Sequence, residues 1–72
     1  MKSILRSFLE TGTLDSLVLG VSDRGFFEVS KFDDVVIVNF KEDFDEEFNF
    51  VLSISKELDN EEILALIMTV IG

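Results

Sequence analysis

The chain has no cysteine and no histidine among its 72 residues. Disulfides are therefore excluded, together with the thiolate and imidazole ligands of ordinary structural zinc sites. The same absences remove the usual base and the thiol nucleophile, and there is no tyrosine. No G-x-S-x-G or H-E-x-x-H occurs, and Gly20-Val21-Ser22-Asp23-Arg24-Gly25 lacks the lysine of a phosphate-cradling loop. Carboxylate pairs can do acid–base work, but a chain this short has little room for a deep cleft around them. The expectation is a protein that is not an enzyme, with no catalytic residue and no cofactor.

Long apolar runs are also missing. The longest, Ile63 to Ile71, is interrupted by Thr69, whereas a membrane-spanning helix needs about 20 residues. Near the N-terminus, Ser3, Ser7 and Glu10 break any apolar signal core. A cytoplasmic location is expected, and the lack of cysteine fits a reducing compartment.

Cations are scarce: 6 basic residues stand against 15 acidic ones, for a net charge of −9. Residues 1–41 hold six acids and five bases, while residues 42–72 hold nine acids and Lys56 alone. The excess charge thus falls in the C-terminal half. Such asymmetry speaks to partners rather than to fold. It argues against direct contact with nucleic acid or an anionic membrane, whose phosphates would repel it.

What is present is enough for one domain, residues 1–72: 47% hydrophobic residues and eight phenylalanines. A chain of this length buries roughly 60% of its unfolded surface, so stability is marginal. Without disulfides or a metal, an unusually apolar core or a second subunit is the remaining support.

The stretch Asp34-Val35-Val36-Ile37-Val38-Asn39-Phe40 organises the rest. Its run of β-branched residues suits a strand and disfavours a helix, and charge on both sides reads as an inner strand buried on both faces or nearly so. Before it, Ile4, Leu5, Phe8 and Leu9 form one stripe of a helix over residues 2–11, with Gly12 placed for a left-handed cap. From Leu14 the period changes to two, and Ser22-Asp23-Arg24-Gly25 supplies a turn into a second strand, Phe26 to Phe32. In that strand Phe26, Glu28, Ser30 and Phe32 face one way and Phe27, Val29 and Lys31 the other. Gly20 marks a bulge or close packing under an aromatic ring.

Residues 47–55 admit two patterns. Phe48, Phe50, Leu52 and Ile54 alternate as in a strand, while Phe44, Phe48, Val51, Ser55 and Leu58 have helical spacing. Asn49, Ser53 and Ser55 are poor interior helix residues, which favours the strand. Asp59 as N-cap, with Glu62 three residues on, then opens a second helix running to Ile71. The expected fold is α+β: an N-terminal helix, a four-stranded antiparallel meander and a C-terminal helix, both helices on one sheet face.

Two surfaces are candidates for function. In Glu42-Asp43-Phe44-Asp45-Glu46-Glu47, five carboxylates surround one aromatic. They either form a solvated loop that keeps an apolar domain soluble or suit a basic protein partner, with Phe44 as anchor and the carboxylates copying the charge of a phosphate backbone. Glu57 and Glu61 would extend this surface if the strand returned residue 57 alongside residue 47. The alternative use of the run, calcium, fails. Asp43, Asp45 and Glu47 match the first, third and fifth loop positions, but Phe48 stands where glycine is needed and Ile54 where a bidentate glutamate is needed. No metal is expected. The second surface is the C-terminal helix, whose apolar arc of roughly 200° exceeds the ~100° one interface needs. Either the first helix covers the surplus side within the chain, or Leu64, Met68 and Ile71 form a homodimer interface. The leading expectation is an acidic, DNA-mimic-like inhibitor or regulator that covers the basic, nucleic-acid-binding surface of another protein. An assembly subunit self-associating through the last helix is the alternative.

Overall fold

The computed structural model describes all residues, 1–72. Its elements run α1 (Lys2–Thr11), β1 (Ser16–Val21), β2 (Gly25–Lys31), β3 (Val35–Lys41), β4 (Asn49–Ser55) and α2 (Asn60–Ile71). The strands form one antiparallel sheet in the order β1-β2-β3-β4. Each strand thus lies beside its chain neighbour, as short connections demand. The two helices contact one another, and the fold is the α+β arrangement expected from the sequence.

Glycine and its neighbours set the connections. Gly12 ends α1 in the left-handed conformation, φ 69°. In the β1–β2 turn the left-handed residue is Asp23, φ 65°, a conformation Asp tolerates. Gly25 follows at φ 137°, and a Cβ there would collide with the Lys41 carbonyl oxygen. Only glycine lets the turn press against the end of β3. Gly20 lies under an aromatic ring, since a Cβ there would meet Phe26 Cε1 at 3.6 Å.

One core holds both layers together. Leu5 and Phe8 of α1, Phe27 and Val29 of β2, Val36 and Val38 of β3, Ile54 of β4, and Ile63, Leu64, Ile67 and Ile71 of α2 are all buried. Each such side chain contributes on the order of 1.5–3 kcal/mol relative to exposure. Phe27 also stacks on Phe40, ring centroids 4.8 Å apart. Ile4, expected in the stripe of α1, is instead 53% exposed.

β3 departs from expectation on one face. Val36 and Val38 are fully buried beneath the helices, but Val35 and Ile37 are only half-buried, because no element covers the opposite face of the sheet. β4 departs more sharply. Val38 pairs with Leu52 while Asn39 pairs with Phe50, so Val51 is an extra residue in the strand. This bulge breaks the alternation of Phe50, Leu52 and Ile54. Ile54 stays in the core, whereas Phe50 is turned to the open face and is 66% exposed. Of the two readings of Gly20, the aromatic ring holds, and the bulge lies in β4 instead.

Candidate protein-interaction surface

The connection from β3 to β4 carries the run Glu42 to Glu47, and Lys41 at the end of β3 shapes it. Lys41 Nζ donates to the Phe44 carbonyl at 2.9 Å. The same ammonium lies 4.7, 5.3 and 5.7 Å from the ring centroids of Phe48, Phe44 and Phe26, within cation–π range of all three. Phe44 meets Phe26 edge-on, 6.1 Å between centroids. Inside the loop the Asp43 N–H donates to Glu46 Oε1 at 2.8 Å, and the Glu46 N–H donates to the Asp43 carbonyl at 3.1 Å. Local bonds thus fix the loop, while Phe44 stays 78% exposed and all five carboxylate residues are exposed.

None of those five carboxylates is in an ion pair, and four of the six cations have other partners. Neither helix has a basic residue in its own last turn, and basic residues of other elements supply the missing positive charge. Arg24, in the β1–β2 turn, donates to the Ile71 and Val70 carbonyls at the end of α2. Lys31 of β2 donates to the Phe8 carbonyl of α1 at 2.7 Å and lies 4.4 Å from the Phe8 ring centroid. Both contacts place positive charge at the negative ends of the helices. Only Arg6 pairs with a carboxylate, bonding both oxygens of Glu61 at 2.9 and 3.1 Å. Hydrogen bonding to this guanidinium holds the Glu61 carboxyl below the usual carboxylate range and raises Arg6 in turn.

The second acidic segment does not join the first. β4 runs from Asn49, opposite Phe40, to Ser55, opposite Val35. Glu57 therefore lies at the other end of the strand, about 20 Å away at 3.3 Å per residue, and not beside Glu47. Two of its acids, Asp59 and Glu61, have structural partners, while the Glu57 and Glu62 carboxylates are exposed without one. The Glu57 N–H donates to Ser55 Oγ, and Asp59 Oδ1 accepts from the Glu62 N–H at 2.9 Å. Glu61 is held by Arg6. Of the eight residues expected to meet a partner, six stand together in the β3–β4 loop, and Glu57 and Glu61 stand apart.

Two of the three self-association residues are taken up by the core. Leu64 and Ile71 are 1% and 3% exposed and belong to the core, and Met68 is half-buried. Much of the apolar arc of α2 is used within the chain, where α2 joins the core with α1 and the sheet, and Leu66 is left 41% exposed. Lys41, Phe26 and Phe48 were not marked by the sequence as parts of the loop surface. Register supplied the signal, since Phe26 pairs with Lys41 across β2 and β3.

Compared with models of protein families, with characterised proteins and with solved structures, the chain matches none. No helix is long and apolar enough to cross a membrane.

Proposed function

We propose that the chain is a protein-interaction module, an inhibitor or regulator that binds the basic, nucleic-acid-binding surface of a partner protein through its β3–β4 loop. The observation that carries this reading is the unpaired state of Glu42, Asp43, Asp45, Glu46 and Glu47 around an exposed, braced Phe44. Unneutralised carboxylates steer a cationic surface into contact and raise the rate of encounter. An aromatic anchor already held by its neighbours loses little entropy on binding. The mimicry of a phosphate backbone is confined to this loop, because Glu57 and Glu61 lie at the far end of β4.

The test is capture of partners from the source lysate on the immobilised chain, at low and high salt, with elution by duplex DNA as a competing polyanion. Partners that release with salt and with DNA, and that fail to bind when all five loop acids are replaced by their amides, support the reading. Capture that ignores salt, DNA and the amide replacements overturns it.

A further inference from the structure

The sheet face turned away from the helices carries one carboxylate in apolar surroundings. Register sets Val18, Glu28, Asn39 and Phe50 in a row across all four strands, and alternation puts Phe26 and Ile37 on the same face. Among the strand residues of this face only Glu28 and Lys41 are charged. The Lys41 ammonium is committed to the Phe44 carbonyl and the nearby rings, so Glu28 has no counter-ion. Its carboxylate is nevertheless held in place, because Asn39 Nδ2 donates to Glu28 Oε1 at 3.0 Å. That bond leaves Oε2 free and one lone pair of Oε1 unused. Both residues are half-buried, while Val18 and Phe50 in the same row are 52% and 66% exposed.

We infer that this face takes an arginine of the basic partner, its guanidinium paired with Glu28 between the positions of Phe26 and Phe50. Charge selects the occupant. Nucleic acid would bring phosphates to a carboxylate. A second copy would bring its own Glu28 and a net charge of −9. A wholly apolar segment would bury Glu28 unpaired, at high cost. Between the two cations, a lysine ammonium is a strongly hydrated point charge. A guanidinium is planar and weakly hydrated, bonds a carboxylate through two N–H groups and stacks on aromatic faces. Asn39 orients the carboxylate beforehand, which lowers the ordering cost of the pair. The face is continuous with the β3–β4 loop, since Phe26 meets Phe44 edge-on at 6.1 Å. The inference rests on the proposed basic partner and adds a division of labour: the loop carboxylates attract any cationic surface, and Glu28 distinguishes arginine from lysine.

The experiment is an NMR titration of the isotope-labelled chain with two probes, a Gly-Arg repeat peptide and a Gly-Lys repeat of the same length and charge. The arginine peptide should bind about tenfold more tightly and shift the amides of Val18, Phe26, Glu28, Asn39 and Phe50. Glu28→Gln keeps an oxygen for Asn39 to donate to, and should bring the arginine peptide down to the affinity of the lysine peptide. Phe50→Ser, at an exposed position, should remove part of the preference. Equal affinities for the two peptides, a preference that survives Glu28→Gln, or shifts confined to residues 42–48 overturn the inference while the loop reading stands. A preference that is lost in Glu28→Gln but untouched when the five loop acids are amides supports the inference and removes the loop from the contact. Shifts on this face driven by protein concentration alone, or by an oligothymidylate, identify a second copy or nucleic acid as the occupant and overturn it.

Discussion

The two acidic segments that flank β4 have similar compositions and different surroundings. In the β4–α2 segment two of the four acids are tied to the fold, Asp59 capping α2 and Glu61 chelating Arg6, and Glu57 and Glu62 stay exposed. In the β3–β4 loop the backbone is fixed by Lys41 and by the Asp43–Glu46 bonds, and the carboxylates are left without a cation. Acidic density alone therefore does not identify a contact surface. What separates the two is where the few cations are held: Arg24, Lys31 and Lys41 serve helix ends or phenylalanine rings, and Arg6 holds Glu61.

The largest effect that separates the segments is on association. Replacing Glu42, Asp43, Asp45, Glu46 and Glu47 by their amides should slow association with a basic partner by roughly 10- to 1,000-fold at low salt. Stability should hold or rise, because the amide oxygen at position 46 can still accept from Asp43 and the net charge falls. Stopped-flow binding and urea unfolding check the two halves. If neutralising Glu57, Asp59 and Glu61 slows binding equally, the distinction between the segments is lost.

Next comes the brace. Lys41→Met keeps the stem but removes the ammonium, its bond to the Phe44 carbonyl and its ring contacts. Urea unfolding should show a loss of about 1–2 kcal/mol, with faster amide exchange across residues 42–48 and weaker partner binding. Phe44→Ala should weaken binding with no comparable loss of stability, since the ring is exposed.

A smaller stability effect belongs to the other segment. Asp59→Ala leaves the Glu62 N–H without its cap and should destabilise the fold by about 1 kcal/mol, with partner binding unchanged. The smallest is Glu61→Gln, whose partners are both at the surface. The carboxyl is held below its ordinary range in the folded state, so its contribution is present above the unfolded-state pKa. It is lost as pH falls through the lowered folded-state value. The stability difference between wild type and Glu61→Gln should therefore be present at neutral pH, close in strongly acidic solution and shrink with added salt.

Much of the fold was legible because the periods are local. The stripe of α1, the turn before β2, the β-branched run of β3 and the Asp59 cap each report on a few adjacent residues. The face assignment of Phe27 and Val29 followed from alternation alone. Phe50 was misplaced because a bulge adds one residue without changing any residue type, and every side chain beyond it then changes face. The width of the apolar arc on α2 left two occupants open, the first helix or a second copy. A helix buried against both a sheet and a second helix has the same pattern as one waiting for a partner.

By itself the sequence determined the class of fold, the order of its elements, the absence of thiol and imidazole chemistry and the density of acids between Lys41 and Phe48, all properties of composition and short-range spacing. Only the tertiary structure decided which acids remain unpaired, since Arg6 meets Glu61 across 55 positions, and Arg24 reaches the end of α2 across 47. Pairing between charges depends on distance in space, and that distance is set by packing rather than by order along the chain.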